Sequence, residues 1–305
     1  MKRIILGISL ILFLVKLQGQ IISLSDHYLN NTLSFNPAYA GCDDALSVTL
    51  LYRNQWVGFD DAPRYSSLSV HTPVRSDRIG LGLILENNSY GINRETSLAG
   101  NYAYRMEVHN GILAFGLGFG ATVKYVAWNE LNAADENDIL LMNNPESAVL
   151  PDFSLGVYYY NKNYFIGFSL PMLLTHEINP NTGNYSVKND FSEYNYFLEG
   201  GYYIGISKNL KFLPSCLVRY HPGYAPEFDI NGQVIFRERI WAGLGYRNSK
   251  TILGLLQLQL NRQIMVAYSY SFDTGEMGQN SNGSHEVVIN YLFSYSRKVT
   301  SPRQY

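Results

Sequence analysis

The residue types able to do covalent or acid–base chemistry are few and scattered. Six histidines, His27, His71, His109, His176, His221 and His285, are spread over 305 residues. A hydrolytic site needs a nucleophile, a base and an orienting group within hydrogen-bond reach. The densest such cluster is Ser284-His285-Glu286, at the head of the run G-S-H-E-V-V-I-N-Y-L-F-S-Y. That run alternates with a period of two: Val287, Ile289, Tyr291, Phe293 and Tyr295 fall on one side, and Glu286, Val288, Asn290, Leu292 and Ser294 on the other. Neighbours on a strand point to opposite faces, so Ser284 and His285 do not share a site. No G-x-S-x-G elbow occurs. Gly116-x-Gly118-x-Gly120 has the period of a strand and no helical pattern after it, unlike a phosphate loop. The acidic stretch 127–151 offers oxygen ligands without the spacing of a calcium loop. Cys42 and Cys216 have no zinc spacing and read either as a disulfide of an oxidising compartment or as two ordinary thiols. The residues therefore point to a protein without catalytic groups, metal or cofactor.

Charge is more informative. Arg53, Arg105, Arg219, Arg237 and Arg247 lie on or beside alternating runs, as do Glu86, Glu199 and Asp229. Bare inward arginines would make a cationic channel; paired with the carboxylates they make a structural ladder. The ladder is favoured, because unpaired charge inside a narrow barrel is costly. The stretch Tyr52-Arg53-Asn54-Gln55-Trp56 closes one such run. It reads as an aromatic rim with a turn, or as a docking edge for a partner.

The elements that hold these residues are strands. Windows at 45–55, 64–74, 78–87, 93–107, 111–126, 152–160, 163–173, 193–207, 210–220, 226–236, 239–247, 251–260, 263–272 and 284–295 alternate apolar with small or polar residues. In 111–126 the outward set is Leu113, Phe115, Leu117, Phe119, Val123 and Tyr125, and the partners are Ala, Gly, Thr and Lys. Small inward residues leave room for strand curvature or for something in the lumen. Fourteen is an even number of strands, and the turns alternate short and mostly long, with 127–151 and 174–192 the longest and Arg247–Lys250 the one short turn on the long-loop side. A soluble sandwich has no reason to sort its loops by parity. The fold expected is therefore all-β, a transmembrane antiparallel β-barrel of about 14 strands, with short periplasmic turns and longer extracellular loops.

Composition agrees. Charged residues make up 16%, below the roughly 25% of soluble domains, and 25 Tyr and 15 Phe supply the amphipathic rings of membrane rims. A mean hydropathy of −0.11 is too low for a helical membrane bundle. A net charge of −2 gives no basic field for nucleic acid. Lys2 and Arg3 precede an apolar run at 4–15, and Gly19 follows, as in a secretory signal peptide cleaved near Gly19. The organisation expected is a signal peptide at 1–19, a periplasmic N-terminal segment at 20–44 for anchoring or plugging, a barrel at 45–296 whose last strand pairs with its first, and a periplasmic tail at 297–305.

Several blocks resemble the PorP/SprF family. They are L-S-F-N-P-A-Y-A-G at 33–41, Y-R-N-Q-W-V-G-F at 52–59, A-P-R-Y-S-S-L-S-V-H-T-P at 62–73, P-D-F-S-L-G-V-Y-Y at 151–159, F-I-G-F-S-L-P at 165–171 and the closing G-S-H-E…Y-L-F. The resemblance implies a non-enzymatic outer-membrane barrel of the type IX secretion system of Bacteroidota, which exports adhesins and serves gliding motility. It implies as partners the translocon or ring components, a secreted cargo C-terminal domain and the lipid bilayer. The alternative is a passive porin or hydrophobic-substrate transporter. The residues set aside for partner contact are Asn36, Pro37, Tyr39, Arg53, Gln55 and Trp56, with Trp128, Leu131, Asp135, Leu140, Leu141 and Ile178 of the long loops.

Overall fold

The computed structural model describes residues 25–74, 77–127, 147–178 and 185–293. Among them no helix is long and apolar enough to cross a membrane, and the crossings are made by strands. In chain order these are β1 (Leu46–Asn54), β2 (Arg64–Val74), β3 (Ile79–Tyr90), β4 (Asn93–Val108), β5 (Gly111–Val126), β6 (Ser147–Asn161), β7 (Tyr164–Leu170), β8 (Thr175–Ile178), β9 (Tyr185–Lys188), β10 (Tyr196–Tyr202), β11 (Ile204–Ser207), β12 (Leu210–Tyr220), β13 (Glu227–Phe236), β14 (Ile240–Arg247), β15 (Thr251–Gln259), β16 (Ile264–Asp273) and β17 (Ser284–Phe293).

β10 and β11 are one crossing interrupted at Tyr203, whose N–H donates to Asn163 O across the sheet at 2.7 Å. With those two counted as one, the sheet is a closed antiparallel barrel of 14 strands in which each strand pairs with its sequence neighbours and β17 pairs with β1. Closure leaves no free sheet edge, which the bilayer requires because lipid cannot hydrogen-bond an exposed backbone. The seam runs from Leu46↔Phe293 to Asn54↔His285, the pairing expected from the sequence. Tyr295 and the tail lie outside the described residues, as do residues 1–24.

The alternation of the sequence is the alternation of the wall. On β5, Phe115, Leu117, Phe119 and Val123 face outward, while Ala114, Gly116, Gly118, Gly120 and Thr122 are buried inside. On β17, Val287, Ile289 and Phe293 are exposed to the lipid side, and Glu286, Val288 and Asn290 are buried. Tyr159, Tyr164 and Tyr202 form an outward row at the short-turn end, with ring centres 5.6 and 6.3 Å apart. They are part of the aromatic girdle.

The structure departs from the sequence reading first at the long loops. β6 begins at Ser147, so residues 147–151 of the stretch read as a loop are strand, paired with β5. Within the stretch read as a plain loop at 174–192, β8 and β9 pair as a hairpin outside the barrel sheet. Four-residue strands in a polar segment are too short for their alternation to stand out.

The second departure concerns the N-terminal segment. The sequence reading put residues 20–44 in the periplasm, for anchoring or plugging; residues 25–44 lie inside the barrel, which fits plugging and not the periplasmic placement. Tyr28, Leu29, Leu33, Phe35, Ala38, Tyr39, Ala40 and Cys42 form the main hydrophobic cluster with wall residues such as Ala103, Ala114, Tyr158, Phe165, Leu217 and Trp241. The apolar side chains of the segment gain by covering the apolar part of the wall in place of water.

Candidate functional site

The lumenal segment is the site around which the barrel is built. It runs as three 3-10 turns, Tyr28–Asn30, Thr32–Ser34 and Pro37–Tyr39. Asn36 and Pro37 set the last of them. The Asn36 side chain accepts the Ala38 N–H at 3.1 Å, and Pro37 occupies the first position of the turn. The Asn36 amide nitrogen also donates to Val157 O of β6 at 3.3 Å, which ties the turn to the wall.

The wall makes room by omission. A Cβ at Gly116 would lie 2.0 Å from Ala38 N, and one at Gly156 would lie 2.1 Å from Asn36 Oδ1. No side chain fits at either place, so inward glycines let the segment approach the strand backbone.

The segment is locked at both ends. At the long-loop end, Glu286 of β17 accepts three hydrogen bonds from it, from Ser25 Oγ at 2.6 Å and from the N–H groups of Asp26 and His27 at 2.9 Å. Asp26 meets Arg53 Nη1 at 2.5 Å, Arg247 Nη2 at 3.4 Å and Ser269 Oγ at 3.1 Å. Arg247 grips Asp229 through Nε at 2.7 Å and Nη2 at 3.0 Å. Arg219 continues the chain to Glu227 at 3.0 Å and Asp229 at 3.5 Å. Burial pushes the Asp26 carboxyl up, but the Arg53 and Arg247 guanidiniums beside it outweigh burial and hold it below the usual carboxylate range.

At the short-turn end, Asp44 pairs with Arg105 Nη2 at 2.6 Å, and that guanidinium also donates to Tyr160 Oη at 2.5 Å. Tyr39 donates to Asp43 at 2.8 Å and sets its ring edge-on to His71 and Tyr158. His71 accepts the Gly41 N–H on Nδ1 at 3.1 Å, and its Nε2 faces Asp43 at 3.3 Å. Glu286, Arg53, Arg247 and Ser269 at one end, and Arg105 and His71 at the other, are strand residues that each hold a residue of the segment.

The ladder expected from the arginines exists, with different partners. Asp229 belongs to it. Glu86 instead accepts from the Tyr65 hydroxyl, and Arg237 lies outside it, over the ring of Phe236 at 5.1 Å. The missing rungs are Asp26 and Asp44, which only the segment's position inside the barrel supplies.

Of the residues set aside for partner contact, Asn36, Pro37, Tyr39 and Arg53 come together in this lock. Gln55 is buried at the long-loop rim. Trp56 beside it has a left-handed backbone, φ 47°, and its N–H donates to Ser284 Oγ at 3.0 Å. Ile178 ends β8, opposite Tyr185 in the outer hairpin, away from the lock. Trp128, Leu131, Asp135, Leu140 and Leu141 lie outside the described residues.

Glu286, Asp26 and His71 were missed as residues of the lock, whereas Arg247 was among the arginines expected in the ladder. Glu286 had a signal: Arg53 is its direct cross-strand partner at the seam. In the Ser284-His285-Glu286 cluster, Ser284 and Glu286 are buried inside, while His285 points outward to Tyr268 Oη at 2.7 Å. Both cysteines are free thiols: Cys42 sits in the lumen, and Cys216 is on the outward row between buried Ser215 and Leu217. The wall stands between them.

A family model described as "Type IX secretion system membrane protein PorP/SprF" matches residues 17–291. No curated protein matches the sequence. Among solved structures, the CymD monoaromatic hydrocarbon channel is similar at 11% identity, with 88% of this chain and 94% of that chain covered and a TM-score of 0.51. The outer-membrane protein Omp33 of Acinetobacter baumannii is similar at 7% identity over 83% of this chain and 100% of that chain, with a TM-score of 0.49. The P. putida toluene transporter TodX is similar at 10% identity over 87% of this chain and 94% of that chain, with a TM-score of 0.49. At these identities the likeness is one of fold, that of an outer-membrane barrel.

Proposed function

The chain belongs to the PorP/SprF family of type IX secretion system membrane proteins, and from that premise we propose that it works as a closed, non-enzymatic scaffold in the outer membrane that supports export by protein contact. The observation that carries this reading is the filled lumen. Residues 25–44 occupy it and are latched at one end by Glu286, Arg53 and Arg247 and at the other by Arg105 and His71. A conduit for solutes needs an open path, and a segment held by buried ion pairs at both ends obstructs one.

The outer loops are the surfaces for cargo or translocon contact: 127–151, 174–192 with its β8–β9 hairpin, and the rim at 273–283. Their length at one end of the barrel supports this role. A cargo C-terminal domain is the partner expected there.

Single-channel recording in a planar bilayer tests the closed state. The expected outcome is no steady conductance from the intact barrel. A stable open level would overturn the scaffold reading in favour of the passive-transporter alternative. Deleting residues 128–146, which stop short of β6, and residues 174–192 tests the contact surface, with loss of cargo from the cell surface expected; unchanged secretion would rule these loops out.

A further inference from the structure

We infer that residues 190–193, on the long-loop rim, form a docking knob for a secreted protein that presents an apolar pocket bordered by lysine or arginine. The inference rests on the reading of the outer loops as contact surfaces and names the chemistry of the partner.

Charge divides the two ends of the barrel. The segments on the long-loop side are 55–63, 91–92, 127–146, 171–195, 221–226, 248–250 and 274–283. They carry eleven Asp and Glu against two lysines, Lys188 and Lys250, a formal charge of −9. The short turns, 75–78, 109–110, 162–163, 208–209, 237–239 and 260–263, carry seven Lys and Arg against two acids, a formal charge of +5. The net charge of −2 hides this asymmetry. A surface of one sign speeds encounter with partners of the opposite sign and disfavours those of its own.

Within that acidic end one turn is held rigidly outward. Phe191–Glu193 is a 3-10 turn capped by Asp190, whose carboxylate accepts the Ser192 N–H at 2.9 Å and the Ser192 hydroxyl at 2.7 Å. The Glu193 N–H donates to Asp190 O at 3.1 Å. Behind the turn, buried Tyr194 donates its hydroxyl to Asn189 Oδ1 at 2.5 Å and sets its ring 5.1 Å from that of Phe191. Tyr196, the first residue of β10, donates its hydroxyl to Phe191 O at 3.3 Å. The turn is thus fixed to the wall before a partner arrives, which lowers the ordering cost of docking.

What the turn projects is Phe191. At 73% it is the most exposed large apolar side chain among the described residues. Leu244 and Val149, at 70% and 69%, lie on strands of the wall. Phe191 lies on no strand, beyond the outward pair Tyr196 and Tyr220 where β10 and β12 end, so lipid does not cover it. Asp190 and Glu193 flank it and are exposed, and Glu193 Oε2 stands 3.5 Å from His221 Nε2. Lys188 of β9 offsets one of the two charges. An exposed ring between two carboxylates fits an apolar pocket with a cationic border. The aromatic anchor supplies affinity, and the charges set orientation and encounter rate.

The same features separate the classes of partner. The outer leaflet of such a membrane is anionic, and two carboxylates beside Phe191 oppose its insertion there. Among the described residues no group of three or more His, Cys, Asp or Glu is placed to hold a metal ion. A sugar needs convergent polar groups around an open ring, whereas Asp190 Oδ1 and the Ser192 hydroxyl are bonded to each other. A basic protein surface meets none of these objections.

The test begins in intact cells, with Phe191 replaced by the photo-crosslinker p-benzoyl-phenylalanine in the full barrel and the cross-linked peptide sequenced by mass spectrometry. The expected product is a secreted protein joined through an apolar site bordered by Lys or Arg. Cross-linking to lipid or glycan only, to a neutral or acidic protein surface, or to no secreted protein would overturn the knob. The captured protein is then purified and titrated against the barrel in zwitterionic nanodiscs. F191A is expected to weaken binding at least about tenfold. D190N/E193Q, in which Asn keeps the cap, is expected to weaken it and to flatten its salt dependence. D60N/D61N removes the same charge elsewhere on the rim and is expected to leave binding within about twofold. Full binding by F191A, or equal losses in the two charge variants, would overturn the knob in favour of a general acidic field. Heat-modifiable gel mobility shows that each variant retains the barrel. An open conductance level with F191A-sensitive binding intact would remove the scaffold reading and leave the knob; a closed barrel without capture at position 191 would remove the knob alone.

Discussion

Asp26 of the lumenal segment and Arg53 of β1 stand 2.5 Å apart, with side chains 0% and 3% exposed. The pair joins a segment that has no strand of its own to the seam where the barrel closes, since Arg53 is also the cross-strand neighbour of Glu286. Ion pairs of this kind are weak arguments for stability as such, because both charges are desolvated. They are strong arguments for position, because removing one partner strands the other.

Removing one partner is therefore the first prediction. Asp26→Ala leaves Arg53 and Arg247 facing each other with less negative charge, at an expected cost of about 3–5 kcal/mol to the docked segment. Glu286→Ala should act alike, because Glu286 accepts three hydrogen bonds from residues 25–27. The barrel wall, closed by its own ladder, is expected to persist. Single-channel recording of either variant should show openings that the intact protein lacks, with heat-modifiable mobility unchanged.

The strand architecture was readable because a lipid-facing wall writes its period directly into the sequence. Phe115, Leu117 and Phe119 alternate with Gly116, Gly118 and Gly120 because one set meets lipid and the other meets the lumen. The segment was not readable in that way. Its contacts join residues up to 261 positions apart, and a 3-10 turn such as Pro37–Tyr39 leaves no period to detect. What the sequence did carry was the empty space: the row of inward glycines is the imprint of a backbone lying against the wall. The ladder was half legible for the same reason. Arginines on strands could be seen, but Asp26 and Asp44 are rungs only once residues 25–44 are inside.

Filling that space is the second prediction. Gly116→Leu places a Cβ 2.0 Å from Ala38 N, closer than any real contact, with backbone on both sides. The segment must shift or leave. The expected outcome is a barrel that still folds, since Gly116 makes an ordinary ladder pair with Gly156, but that conducts and exposes residues 25–44 to added protease. A closed, protease-resistant Gly116→Leu barrel would contradict the close packing.

Acid should loosen the same latch. The folded Asp26 carboxyl is held below its ordinary value despite burial, so its ionised form favours the docked state. The stabilisation is present above the unfolded value of about 3.9 and is lost as pH falls through the lower folded value. Conductance recorded from neutral pH downward is expected to stay closed through the mildly acidic range and to show openings only below about pH 4. Asp26→Asn, which cannot ionise, should lose the Asp26 share of this pH dependence.

Cys42 reports the docked state without disturbing it. The thiol is buried between the segment and the wall, donates to Ala38 O at 3.7 Å, and burial pushes it up to about 12. A thiol with so little thiolate at neutral pH and no solvent access reacts slowly. In a Cys216→Ser background, maleimide labelling of the intact barrel is therefore expected to be slow at neutral pH. It should become fast in Asp26→Ala and Gly116→Leu, where the segment is released, and fast in the unfolded chain. Mass spectrometry of the peptide containing Cys42 measures it directly. Rapid labelling of the intact barrel would mean that residues 25–44 leave the lumen readily under native conditions, and the closed-scaffold reading would fail with it.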